Sequence, residues 1–368
     1  MVLLEPIGLS NMEHALSPTN DSERLLFRNL FHNVIHLDCQ GATRPGLAQS
    51  WSADSGGRGW TFTLREAPGL PGVSPETATQ VARAIGGPQG KVLGIDSVTV
   101  LDQRRLRVSL RPGDSTPDVL ADPALAVTTG WAPTGAGAGG NLPIPARRGM
   151  PVVNFRFEPK TDARDALDRG ADLVVTRDAA LVDYVSGLTE FAAFPLPWSR
   201  TYVLLQPAGA EALSSARTGS GWPSLAEDAV HAEARVAEAP FWWSNLEACP
   251  APVPPISPPR SSRVVYARGD EVARGLAERV VALEGAGLNL RTEALEPAEF
   301  AALLRNGSER VYVVALPRQT LAPCREAASL PGGARIQPLI DTRAYAVVRR
   351  GAPPLTAEWD GTVRVVEP

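Results

Sequence analysis

Lysine is almost missing from this 368-residue chain: of its 36 basic residues only Lys91 and Lys160 are not arginine. With so much alanine, glycine and proline, that bias reads as the codon usage of a GC-rich genome and carries no chemistry. Histidine and cysteine are nearly as scarce, with four and three residues. Cys39, Cys249 and Cys324 lie far apart without CxxC spacing, which argues against zinc and allows one disulfide, Cys249–Cys324 being favoured. His32 and His36 stand four apart near the end of a helical pattern, a spacing that puts two imidazoles on one face. No acidic or cysteine partner is spaced to complete a metal site, so packing is the better reading, and neither metal nor cofactor is expected. No apolar run reaches membrane-spanning length. Met1–Pro6 lacks the basic start and apolar stretch of a leader, so either a leader has been removed or the protein stays inside the cell; the sequence does not decide. A net charge of −4 gives no electrostatic case for nucleic acid. Without GxSxG, HExxH or P-loop, and without a histidine in an acid–base pairing, an enzyme is not expected.

What is present centres on residues 42–66, ATRPGLAQSWSADSGGRGWTFTLRE. A turn at Pro45-Gly46 leads into Leu47-Ala48-Gln49-Ser50-Trp51, then a glycine-rich link, then Trp60-Thr61-Phe62-Thr63-Leu64-Arg65. Trp60, Phe62 and Leu64 alternate with polar residues, the period of a half-buried strand, and Asp54 with the glycines is hairpin-loop chemistry. The run Pro-Gly-Leu-Ala-x-Ser-Trp followed by Trp-Thr-Phe-Thr-Leu-Arg resembles the signature of the peptide/nickel class (family 5) of extracytoplasmic solute-binding proteins. These hand oligopeptides, dipeptides and nickel chelates to ABC importers. In that family the signature packs a small domain and touches no ligand.

In chain order, Asn20 and Asp21 cap a helix running towards Ile35. A second helix starts at Ser74-Pro75, with Ala78, Val81, Ala82 and Ile85 on one face and Gly86-Gly87 at its end. Ile95–Leu101 and Leu106–Leu110 read as an antiparallel hairpin. Residues 131–148 contain a formal GxGxxG at Gly135–Gly140, but Pro143 and Pro145 oppose the helix a nucleotide site needs, so the segment reads as a loop. From Val152 the pattern turns α/β, with strands at 152–157 and 171–176 and helices at 162–169 and 179–185. Residues 207–262 are the least informative. Pro250–Pro259 holds six prolines and reads as a linker. Trp242 and Trp243 would point to opposite faces of a strand, and packing or ligand contact are equally open to them. Strand, helix, strand, helix, strand then follow through 263–266, 270–283, 288–292, 297–305 and 310–316, a pattern of parallel pairing.

The resemblance implies an α/β, two-lobed periplasmic-binding-protein-like fold of type II with a small antiparallel subdomain. Its expected parts are 1–38 and 126–205 in the large lobe, 39–125 the subdomain, 206–335 the second lobe, and 336–368 returning to the large lobe. The second lobe is shortened relative to the family, and crossings near 204–208 and 334–338 would form the hinge. It further implies a monomer, periplasmic or at the cell surface, that captures a small peptide-like ligand between its lobes for an ABC permease. The shortening, and a worn Gly-Thr-Gly-Pro-Tyr motif at Pro133–Gly137, also admit a ligand-less fold acting as an interaction or sensory module. The ligand set implied is Asn20 and Asp21 from the first loop, Trp131 from the glycine-rich loop, Trp198, Arg200 and Tyr202 from the crossing strand, and Trp242 or Trp243 from the second lobe. Arg200 would hold a carboxylate and Asp21 an amine, with the tryptophans as apolar walls.

Overall fold

A computed structural model describes residues 1–5, 20–65, 78–111, 116–128, 141–144, 152–159, 161–206, 263–288, 290–305, 310–318 and 335–365. They fall into two compact units, Met1–Pro197 with Ala344–Pro368, and Trp198–Arg343. The chain therefore leaves the first unit and re-enters it. It does so inside two long strands, β13 (Phe191–Gln206) and β17 (Arg335–Arg349). The sequence had suggested passages at 205/206 and 335/336; a continuous strand keeps one period throughout, so its pattern does not mark where one packing unit stops.

In the first unit, β1 (Val2–Leu3) lies parallel to both β11 (Val153–Phe157) and β12 (Leu173–Thr176), and β12 runs antiparallel to β17. An edge strand, β10 (Asn141–Ile144), pairs antiparallel with β11. This corrects the reading of 131–148 as loop throughout: Pro143 is tolerated because an edge strand has one side on which no N–H is needed. Helix α1 (Asp21–Leu30) begins where the Asn20 side chain accepts the Glu23 N–H at 2.8 Å, with acidic residues in its first turn and Arg28 in its last. Its Leu26 and Phe27 pack with Leu3, Phe155 and Leu173 in the core. The helix stops at Leu30, short of Ile35, because the aromatic and β-branched residues that follow enter strands. These are β2 (Phe31–His32), paired with β9 (Val127–Thr128), and β3 (Ile35–Leu37), paired with β4 (Thr43–Pro45).

The signature forms the expected hairpin. Strands β5 (Ala48–Ala53) and β6 (Gly59–Leu64) pair antiparallel, and Trp51 faces Phe62 with ring centroids 6.4 Å apart. Strands β7 (Ile95–Val100) and β8 (Arg105–Leu110) complete a four-stranded sheet in the order β5-β6-β8-β7. Helix α2 (Ala78–Ile85) buries Ala78, Val81 and Ile85, and α3 (Pro88–Val92) follows it. The first unit further holds α4 (Ala163–Asp168), capped by Asp162, and α5 (Ala179–Ser186), capped by Asp178. The hairpin β18 (Leu355–Ala357) and β19 (Val363–Val365) closes the chain's return.

The second unit orders its strands β17-β13-β16-β14-β15. Here β14 (Arg263–Ala267) is parallel to β15 (Arg291–Leu295) and to β16 (Val311–Pro317), while β13 and β16 are antiparallel. Helices α6 (Glu271–Leu288) and α7 (Pro297–Arg305) connect the parallel strands. The stripe of Ala273, Leu276, Ala277 and Val280 on α6 packs on Val264, Leu204 and Val313.

Candidate functional site

The crossing strand β13 carries three of the expected ligand residues at the start of the second unit. Trp198 is half-buried, and the Arg343 guanidinium from β17 lies 4.6 Å from its ring centroid. Arg200, also half-buried, stands opposite Pro317, and its carbonyl accepts from the Thr342 hydroxyl at 3.4 Å. Tyr202 is only 2 % exposed and donates its hydroxyl to Asp270 at 3.0 Å. Asp270 also accepts the Ala273 N–H at 2.9 Å, so this tyrosine braces the start of α6 from inside the core.

On the other face of β13, Ser199 and Thr201 are buried, and Thr201 donates to Asp341, a carboxylate with no exposed surface. Arg318, 3 % exposed, holds the Ser199 carbonyl through its backbone N–H at 2.9 Å. Asp341, Arg343 and Arg318 were not among the residues expected from the sequence. One signal was present: Asp341-Thr342-Arg343 stands between the apolar Leu339-Ile340 and the mainly apolar residues 344–348, and a charge inside such a run needs a partner to be buried. A planar cation over an indole, with further arginines nearby, suits a carboxylate or an anionic chelate.

In the first unit Asn20 and Asp21 serve the start of α1. Asn20 caps it, and the Asp21 carboxylate takes both Nε and Nη2 of Arg177, at 2.6 and 3.2 Å. Any amine reaching Asp21 therefore meets a carboxylate already paired with a guanidinium. Trp131, Trp242 and Trp243 lie outside the described residues, as do Cys249 and Cys324, while Cys39 is a free, exposed thiol. The two histidines do not share a helix face: His32 is in β2 and His36 in β3. The change from helical to extended backbone after Leu30 roughly doubles the rise per residue, from about 1.5 to about 3.3 Å, and the break between β2 and β3 sets the two apart. Among the described residues no group of three or more His, Cys, Asp or Glu could hold a metal ion. No helix among them is long and apolar enough to cross a membrane.

A second buried charge cluster ties the chain's return to α1 and β3. Arg28 Nε meets Asp360 Oδ2 at 3.1 Å, and Arg24 donates to the Asp360 carbonyl at 2.8 Å. Arg364 pairs with Glu358, whose other neighbour is His36, with Nδ1 3.5 Å from Oε1. Burial opposes ionisation of Asp360, but Arg28, Arg24 and Thr362 outweigh it and hold its pKa below the usual carboxylate value. At Glu358 burial prevails over Arg364 and pushes the carboxyl up. Burial, reinforced by Arg364, Arg28 and Arg65, pushes His36 well below the ordinary imidazole value.

Two units joined by two shared strands, one carrying the amino- and carboxy-terminal segments and an antiparallel subdomain, define the two-lobed fold of the periplasmic binding proteins. Solved structures of the peptide/nickel class share it over nearly the whole chain. NikA from Brucella suis in complex with Fe(III)-EDTA is 14% identical, with a TM-score of 0.64 over 98% of each chain. The Escherichia coli murein tripeptide binding protein MppA is 13% identical, with a TM-score of 0.61 over 98% of this chain and 96% of its own. The substrate-binding domain of an oligopeptide ABC transporter from Bacillus anthracis is 11% identical, with a TM-score of 0.63 over 96% of each. At these identities the likeness is one of fold. No family model matches the chain, and no curated protein matches it significantly.

Proposed function

We propose that this chain is an extracytoplasmic solute-binding protein, not an enzyme. It captures a small peptide-like ligand or chelate and presents it to the permease of an ABC-type importer, acting as a monomer without a nucleic-acid partner. The observation that carries this reading is the end-to-end likeness to a murein tripeptide binding protein, to NikA in complex with Fe(III)-EDTA, and to the substrate-binding domain of an oligopeptide ABC transporter. In support, β13 presents Trp198 and Arg200 half-buried rather than sealed in the core. Asn20, Asp21, Trp131 and one of Trp242 and Trp243 complete the proposed set, and Tyr202 backs the strand from within.

The test is a thermal-shift screen of peptides, amino acids and metal chelates, followed by calorimetric titration of any hit. A stabilising ligand is expected for the native chain. Arg200→Ala should weaken its binding by roughly thirty-fold or more, the loss of a charge-assisted pair worth about 2–5 kcal/mol. Equal stabilisation of the variant would remove Arg200 from the site. A broad screen in which nothing raises the melting temperature would count against solute binding itself.

A further inference from the structure

The charge cluster on the chain's return holds two titrating groups side by side whose surroundings move them in opposite senses. Glu358 and His36 touch at 3.5 Å, with side chains 8% and 17% exposed. They are faced by Arg28 from α1, by Arg364 from β19, by Arg65 just after β6, and by Asp360 in the turn between β18 and β19. Asp38, whose backbone bridges to that of Glu358, has its carboxylate on Arg44 at the surface. A positive charge on His36 would join three arginines, while Glu358, although paired with Arg364, is sealed from water beside Asp360, and burial outweighs that pairing. We propose that His36 and Glu358 are a proton-compensating pair, which keeps the segment 358–365 docked on α1 with a strength that changes little as the surroundings acidify.

The compensation follows from linkage. His36 is held neutral when docked but takes a proton when released, so below the ordinary imidazole range acid favours release. Glu358 is the reverse. Its docked pKa is raised, so the docked state binds the proton first, and acid favours docking until the pH falls to the ordinary carboxylate value. The two slopes oppose each other below both the ordinary imidazole value and the raised pKa of Glu358, down to the ordinary carboxylate value. Asp360 does not enter there, because its lowered pKa confines its loss to more acidic solution. An extracytoplasmic protein has no cytoplasmic pH buffering, and such a pair would suit that setting, although the proposal itself needs only the cluster.

The experiment uses the full chain and melting temperatures from about pH 7.5 to about pH 5, spanning the reference His and Glu values. Native protein, Glu358→Gln, His36→Asn and the double variant are compared, each as its difference from native at every pH. With Glu358→Gln the difference should grow more negative on acidification, by on the order of 2 °C per pH unit. With His36→Asn it should move the other way, and with both replaced it should stay level. Single-variant curves that run parallel to the native one would overturn the pairing. Should Glu358→Gln fail to fold, the His36 ring proton in the native chain decides by NMR, assigned by its absence from His36→Asn. An imidazole still neutral at about pH 5 upholds the proposal, and titration near 6.5 overturns it.

Discussion

At the scale of single residues, what separates a signature position from a merely apolar one is how close the backbone comes. Gly46 follows the signature's Pro45, and a Cβ built on it would stand 2.4 Å from the Asn33 carbonyl oxygen and 2.9 Å from that of Val34. The neighbours are backbone held in register, since Leu47 and Ala48 donate to those same two carbonyls at 2.9 Å. Gly46→Ala should therefore cost about 1–3 kcal/mol, as overpacking does, measured by urea denaturation. A cost near zero would mean that the 33–34 backbone yields freely. The sequence marks Gly46 as a turn residue, but its reason for being there is a contact with the backbone at Asn33-Val34, between β2 and β3, which no local pattern displays. Tyr202 shows the same limit from the other side. Alternation places it on one face with Arg200 and Leu204, and only the packing of α6 on that face makes it interior.

At the scale of elements, periodicity and end signals were legible wherever an element buries one side. The hairpin β5–β6, the β7–β8 pair and the alternation of β14, α6, β15, α7 and β16 could all be read from apolar spacing, within a few residues at their ends. Helix α1 was legible at its start, where Asn20 accepts from Glu23, and not at its end. Asn20→Ala should lower stability by about 1 kcal/mol, the ordinary worth of an N-cap, with Asn20→Asp largely preserving it. Chemical denaturation of the three proteins measures this; equal losses in both variants would show that the cap hydrogen bond is not what the position supplies. Strand β10 was hidden for a physical reason. Two prolines and a glycine-rich approach describe a loop in any local reading, and an edge position beside β11 is a property of the sheet.

At the scale of the whole molecule, the first unit is discontinuous in sequence, so its integrity depends on residues more than three hundred positions apart. Trp359 is buried at 2 % exposure, and Arg28 and Asp360 close an ion pair inside the same unit. Ending the chain after Arg349 should strip Arg28 of that carboxylate and leave its buried charge uncompensated, a change costing about 3–5 kcal/mol before any lost packing is counted. The truncated chain should lose the cooperative unfolding of residues 1–197, followed by hydrogen exchange of α1 and β11. Native-like protection of α1 in that chain would show the return segment to be dispensable. By itself the sequence determined the kind and order of the elements that bury one side, and the α/β class, because helix and strand periods are set by backbone geometry that repeats along the chain. The tertiary structure alone decided that the units divide at Pro197/Trp198 and Arg343/Ala344. It alone buried Arg24, Arg28, Asp341 and Asp360 in matched surroundings, and it set His36 against Glu358 rather than His32. The physical reason is that charge pairing acts through space at a few ångströms, and between residues like Arg28 and Asp360 the intervening chain carries no record of the distance.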